Sequence, residues 1–208
     1  MIQSEEEAQV YCASRVGAGT MERMERFTGL LLEENSRQNL VANGTLPEVW
    51  RRHIADSVQL LDHVPRETPV WLDLGSGAGF PGLIIAMARP DAHVVLVESR
   101  KLRAEWLERV SSALGIGNVE VIAKRLEAVG AVGASAISAR AFAPLTKLFS
   151  ISRRFSTQET FWVLPKGRSA PQELSEQSPA VQKMFHVEPS LTDPSAGIII
   201  GRGVPEVR

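Results

Sequence analysis

Met24, Phe27 and Leu31 recur at intervals of three and four residues, which puts them on one face of a helix. Ser4 and Glu7 stand at capping-box spacing ahead of them and mark an earlier helix start. After a loop with Asn39, Asn43 and Gly44, the same period returns from Leu46 to Leu61 through Trp50, Ile54 and Val58 and predicts a third helix. Residues 1–66 therefore read as a helical N-terminal extension laid on a main domain of residues 67–208. From residue 69 the period changes. Short apolar runs bounded by Gly, Pro and Asp alternate with amphipathic stretches, the pattern of βαβ units. The runs are Val70–Leu74, His93–Val97, Val119–Ala123, Ala134–Ala139, Thr160–Leu164 and Gly197–Gly201. Their apolar residues are consecutive rather than alternating, as in strands of a mostly parallel sheet buried on both faces. Leu102, Trp106, Val110 and Leu114, behind Ser99 as N-cap, predict a helix that covers the sheet. Residues 166–181, with Pro171, Pro179 and several Ser and Gln, are the one linker-like stretch, and no internal repeat is seen.

Composition narrows the function classes. A chain of 208 residues, 44% apolar, suits one globular unit with a sizeable core. Its 23 basic and 24 acidic side chains nearly cancel, so any nucleic-acid binding must come from a local patch. Such a patch is available, because residues 98–155 hold ten basic and five acidic groups whereas residues 1–35 hold three and seven. Arginine supplies 18 of the 23 cations, and its planar fork suits phosphates and base edges. The lone Cys12 makes no intramolecular disulfide and fits a reducing, cytoplasmic setting. Glu5, Glu6 and Glu7 stand where a signal peptide needs positive charge, and no run approaches the ~18 apolar residues of a membrane span. His63, His93 and His186 share no ligand spacing with one another or with Cys12, so no metal site is expected.

The segment Val70-Trp71-Leu72-Asp73-Leu74-Gly75-Ser76-Gly77-Ala78-Gly79-Phe80-Pro81-Gly82 carries the chemistry. A strand, an acid near its end, a glycine-rich turn and a helix start follow in direct succession. The glycines let the backbone approach a ligand closely, and Pro81 suits a first helical turn. Glu98, 23 residues beyond Gly75, follows the next strand, where a carboxylate accepts hydrogen bonds from both hydroxyls of a ribose. A nucleoside-containing cofactor over the sheet is the common reading. A dinucleotide wants G-x-G-x-x-G and a helix N-terminus on its pyrophosphate, whereas this chain has G-x-G-x-G. S-adenosylmethionine has no phosphate but carries an ammonium, which the strand-end Asp73 suits better.

Further segments join this turn in a fixed order: Asn39-Leu40-Val41, Arg52-His53-Ile54-Ala55-Asp56-Ser57, Gly79-Phe80-Pro81-Gly82, Arg140-Ala141-Phe142-Ala143-Pro144-Leu145 and Lys166-Gly167. From about residue 20 to about residue 170 the chain resembles the bacterial RsmG (GidB) small-subunit ribosomal RNA guanine-N7 methyltransferases. The resemblance implies a Rossmann-like α/β methyltransferase fold, a mostly parallel seven-stranded sheet with flanking helices and a helical N-terminal extension. It implies S-adenosylmethionine as cofactor, S-adenosylhomocysteine as product, and 16S ribosomal RNA within the small subunit as partner, with the enzyme a cytoplasmic monomer. By the same resemblance Gly75, Ser76, Gly77 and Phe80 line the cofactor pocket, Leu126 and Glu127 border the adenine, Glu98 holds the ribose, and Arg140 faces cofactor and substrate. Ser135 stands where relatives often carry an acid, and Pro194-Ser195-Ala196-Gly197 lacks a basic residue that many have before the last strand.

The chemistry is consistent with the residues present. Guanine N7 has an in-plane lone pair that is unprotonated at neutral pH, so it needs no general base. Pyrimidine C5 methylation needs a cysteine nucleophile, and Cys12 lies far from the turn in sequence. Exocyclic-amine enzymes use an Asn/Asp-Pro-Pro-aromatic loop where this chain has Ala139-Arg140-Ala141-Phe142. Arg140 is the residue expected to orient the base. His53, Lys124, Arg125, Phe142 and Lys166 are substrate candidates: Phe142 by stacking on an extruded base, the cations by touching phosphate, and His53 by edging the cleft. Trp50, Trp71, Trp106 and Trp162 sit in periodic segments and read as core. Two other readings stay open on sequence: a small-molecule methyltransferase or NAD-dependent reductase on the same turn, and a ribosome-assembly module that keeps the fold as a scaffold.

Overall fold

In a computed structural model, which describes residues 1–206, the apolar runs close into a single seven-stranded sheet of order β3-β2-β1-β4-β5-β7-β6. The strands are β1 Val70–Leu74, β2 His93–Val97, β3 Val119–Ile122, β4 Ala136–Ala139, β5 Phe161–Gly167, β6 Phe185–Pro189 and β7 Gly197–Arg202. β1 to β5 are parallel, and β7 runs antiparallel to both β5 and β6. Consecutive apolar residues have the expected cause. In β1, Trp71 joins the core of one face and Leu72 and Leu74 that of the other. A fully buried side chain of this size stabilises the fold by about 1.5–3 kcal/mol relative to exposure.

One face is covered by α2 Ala18–Asn35, α4 Gly82–Ala88 and α5 Lys101–Ala113; Met24, Phe27 and Leu31 are fully buried there with Ile84, Ile85 and Leu107. The other face carries α6 Leu145–Ser152, whose Leu145, Leu148 and Phe149 pack with Trp162 and Phe185. All four tryptophans are buried. Cys12, on α1 Glu5–Ala13, is buried too, and desolvation pushes its thiol up to about 12, so it stays a thiol at neutral pH. Ser4 caps α1 by accepting from Glu7 N, while the Glu7 carboxylate reaches Gln3 N rather than Ser4 N.

Several local expectations are corrected. The helix predicted over 46–61 is a composite: a 3-10 turn Asn43–Glu48, a π-helical turn Trp50–Ala55, a short α3 Asp56–Val58 and a second 3-10 turn Gln59–His63. The N–H groups of Trp50 and Arg51 are capped by the Glu5 carboxylate at 2.9 and 2.8 Å, a partner from α1 that periodicity cannot reveal. Residues 166–181 are no linker. They complete β5, form α7 Ala170–Ser175 and enter α8 Pro179–Met184, with Pro171 and Pro179 in first helical turns. β6 escaped the reading because only alternate residues, Phe185 and Val187, face the core in this edge strand. β3, at the opposite edge, is only half-buried rather than enclosed on both sides. Ser99 does not cap α5; Arg100 is the capping position, and its N–H goes to the Glu98 carboxylate at 2.7 Å. Leu102 is 64% exposed, because the first turn of α5 lies past the carboxyl ends of the strands where no layer covers it.

Candidate active site

β1 and β4 are neighbours from which the chain winds in opposite directions, and a ligand crevice opens at the carboxyl ends of strands at such a switch point. The glycine turn after β1 and the Arg140–Pro144 loop after β4 meet there. Gly75, Gly77 and Gly79 have φ of +69°, +57° and +107°, which side-chain-bearing residues rarely adopt. The turn is braced from beneath: Gly75 N and Ser76 N donate to Val97 O, and Gly77 N donates to the Glu98 carboxylate at 3.0 Å. Glu98 is buried, with one oxygen on Gly77 and the other on Arg100 N. Each oxygen keeps a second lone pair that can accept a further hydrogen bond.

Asp73 does not reach the ligand side as the sequence suggested. It is fully buried, accepting from Ser138 Oγ at 2.6 Å and from Gly82 N at 3.2 Å, so its carboxylate ties β4 to the start of α4. Ser138 in turn accepts from Trp71 Nε1 at 2.9 Å. Desolvation pushes the Asp73 carboxyl up to about 6, against the pull of those hydrogen bonds. Phe80 is also buried, edge-on to Phe27 and stacked on His53 with ring centroids 4.9 Å apart, so it backs the turn rather than lining an open pocket.

Arg140 is half-buried at the end of β4. Its guanidinium donates to His53 Nδ1 at 2.8 Å, to Arg52 O at 3.3 Å and to Asp56 Oδ2 at 3.3 Å, and it lies over the Phe80 ring. Since guanidinium only donates, His53 Nδ1 must accept, and the ring proton sits on Nε2. Thr45 Oγ1, 2.8 Å from Nε2, spends its own proton on Ala42 O and therefore accepts that N–H. Desolvation, then the charges of Arg140 and Arg52, push His53 down to about 3. His53 is thus a neutral imidazole with both nitrogens occupied.

Two cavities flank this junction. The larger, about 740 Å³, is lined by Arg140, His53, Phe142 and Lys166 together with Asp56 and Asp193. The smaller, about 300 Å³, is lined by Gly75, Leu126, Glu127, Lys124, Arg125 and Phe142, with Lys147 beside them. Phe142 is the wall between the two. Its ring packs on Gly75 so closely that a Cβ there would lie 2.5 Å from Cδ2, and Ala141 before it has φ of +51°. Beyond Phe142 the loop is pinned: Lys166 Nζ donates to Ala143 O at 2.5 Å and pairs with Glu173 at 2.9 Å, while Glu173 accepts Leu145 N–H at 2.8 Å. The Lys166 side chain is only 9% exposed, so it anchors the loop rather than offering itself to phosphate.

The fold therefore gathers Gly75, Leu126 and Glu127 about the smaller cavity and Arg140, His53 and Phe142 about the larger, with Ser76 and Gly77 in the glycine turn and Glu98, after β2, bonded to Gly77 N. Asp56, Thr192, Asp193, Lys147 and Glu173 went unnamed as site residues in the sequence reading. Asp56 stood within a quoted motif. Thr192, which donates to Asp56 at 2.8 Å, comes from 136 positions away and leaves no local signal. Hydrogen bonds from the Ser195 side chain and backbone, with Arg52 beside them, hold the Asp193 carboxyl down at about 2. Among the described residues no group of three or more His, Cys, Asp and Glu could hold a metal, and no helix is long and apolar enough to cross a membrane.

Comparison with known proteins bears on this arrangement. The profile of the family described as GidB, rRNA small subunit methyltransferase G, matches residues 20–194. The ribosomal RNA small subunit methyltransferase G of Erythrobacter litoralis is 58% identical over 203 residues, 98% of either chain. That of Novosphingobium aromaticivorans is 56% identical, covering 96% of this chain and 88% of its own. Among solved structures, a ribosomal protein L11 methylase from Lactobacillus delbrueckii superposes with a TM-score of 0.57 at 14% identity, over 73% of this chain and 79% of its own. A SAM dependent methyltransferase from Aquifex aeolicus gives 0.55 at 13%, over 76% and 94%. At such identities the likeness is one of fold.

Proposed function

The chain belongs to the GidB family and is a small-subunit ribosomal RNA methyltransferase that uses S-adenosylmethionine, and on that premise we propose that its acceptor is N7 of a guanine in 16S ribosomal RNA. The glycine turn fits the cofactor: positive-φ glycines present bare backbone, a cavity opens beside them, and the buried Glu98 retains acceptor capacity. In this reading Gly75, Ser76, Gly77 and Glu98 hold its methionine and ribose parts, Leu126 and Glu127 border the adenine, and Phe80 backs the turn. Bound there, S-adenosylmethionine supplies an electrophilic methyl on sulfur.

The observation that carries the choice of N7 is the locked pair of Arg140 and His53. Both imidazole nitrogens are occupied, Asp56 is taken by Arg140, Gln59 and Thr192, and Asp193 is taken by Arg52 and Ser195. The larger cavity so arranged positions a base and offers no idle group to deprotonate one. Guanine N7 asks for nothing more: its lone pair forms the new N–C bond as the C–S bond breaks, and no proton is removed first. Arg140 directs a donor fork at O6 or a neighbouring phosphate, and Phe142 offers a face for stacking. His53, Lys124 and Arg125 complete the RNA-facing set. Alignment of this kind supplies about 7–11 kcal/mol of barrier lowering as effective molarity. In this reading the enzyme is a monomer that acts on the subunit in the cytoplasm.

The test uses methyl-labelled S-adenosylmethionine with small subunits from cells lacking the activity, followed by mapping of the labelled nucleotide. Label at N7 of one guanine is expected. Label on another atom, or cofactor binding without transfer to RNA, overturns the assignment.

A further inference from the structure

The two cavities differ in how their cations are neutralised. On the larger one each cation has a carboxylate: Arg52 with Asp193, Arg140 with Asp56, Lys166 with Glu173. On the smaller one Lys124, Arg125 and Lys147 are exposed and make no salt bridge among the described residues. Glu127 is the one carboxylate in that wall. S-adenosylmethionine has two positive groups and one negative, so three bare cations are the wrong sign to have been placed for it. They suit an anion that lies outside the cavity.

We propose that Lys124, Arg125 and Lys147 seat the phosphodiester backbone of the RNA, and that the RNA thereby lies across the mouth of the cofactor cavity. This rests on the ribosomal RNA reading above and adds to it an order of events. The cofactor enters before the RNA, and the demethylated product leaves only after it. On the inner side the cofactor cavity is bounded by Phe142, which also lines the larger cavity.

Two measurements on the full chain test this. The first follows dissociation of labelled S-adenosylhomocysteine with and without excess 16S ribosomal RNA. Dissociation slowed about tenfold or more by RNA is expected, whereas an unchanged rate in enzyme that methylates the same RNA overturns the order. The second measures RNA affinity against salt for the wild type and for Lys124→Gln/Arg125→Gln/Lys147→Gln. Losing three phosphate contacts makes the slope of log K against log salt shallower by about 2. An unchanged slope refutes the surface, and the triple variant must also lose the protection of bound S-adenosylhomocysteine by RNA. Failure of the wild type to bind the cofactor at all would instead defeat the methyltransferase reading from which the order follows.

Discussion

Arg140 was legible as a site residue because its motif carried it, but what it does depends on His53, and that pairing joins positions 87 apart. Replacing Arg140 with Ala removes the donor fork and leaves the helix partners in place, so methylation is expected to fall about 10²–10³-fold with S-adenosylhomocysteine affinity little changed. Equal transfer rates by labelled-methyl assay refute that role. His53 also makes a pH prediction. The folded protein keeps it neutral down to about pH 3, while the unfolded chain takes up a proton below the ordinary histidine value of 6.5, so acid favours unfolding between those values. Asp73 acts oppositely: its raised value means the folded state holds the proton more tightly, so stability falls as pH rises from 3.8 to about 6. The denaturation free energy of wild type minus His53→Gln isolates the first. Between pH 4 and 6 it should move in favour of the wild type by up to about 1.4 kcal/mol per pH unit and level off above 7. A flat difference would mean that His53 is not held neutral. Lys166 was expected to touch RNA phosphate, and its ammonium is instead spent on Ala143 O and Glu173. Lys166→Met should therefore slow transfer by about 10²-fold through displacement of the Arg140–Leu145 loop, while RNA affinity in a filter-binding assay stays near wild type.

At the scale of elements, strands wholly enclosed by helices announced themselves through consecutive apolar residues. The edge strands divided: β3 was read from its run although it is only half-buried, whereas β6 was missed because only alternate residues face the core. The glycine turn was equally clear, since positive φ demands the residue type that stands there. Its tightness against the next loop was not clear, because Phe142 arrives from beyond β4. Gly75→Ala makes this measurable: a methyl group would strike Phe142 and would have to live at φ +69°. Calorimetric titration with S-adenosylhomocysteine should show a loss of at least about 1 kcal/mol, roughly fivefold, and wild-type affinity would mean that Phe142 yields freely. The composite helical segment from 43 to 63 shows the complementary failure. Its apolar spacing suits a regular helix, yet the caps supplied by Glu5 and the bonds made by Asp56 and Gln59 to the loop after β6 draw the chain into 3-10 and π turns.

For the whole molecule, we propose that residues 1–66 are an extension without which the main domain of residues 67–208 does not fold stably. Phe27 packs on Phe80 and Trp106, Arg109 pairs with Glu34, and Ile2 N donates to Leu191 O in the loop between β6 and β7, so the extension shares one core with the main domain. A fragment of residues 67–208 would expose that core face and lose His53 and Asp56. It should show no cooperative thermal transition by circular dichroism, and a cooperative one near that of the full chain refutes the proposal.

By itself the sequence determined the strand and helix layers, the glycine turn with Glu98 after the following strand, the family, and the concentration of cations in the middle of the chain. Each of these is written in neighbouring residues, through periodicity, backbone permissiveness or motif order. Only the tertiary structure decided that Asp73 is buried under the turn, that His53 is neutral with its proton on Nε2, that Lys166 is an anchor, and which cations are left bare. Those properties depend on desolvation and on partners that are distant in sequence, and a hydrogen bond between residues 87 apart has no local pattern from which it can be read.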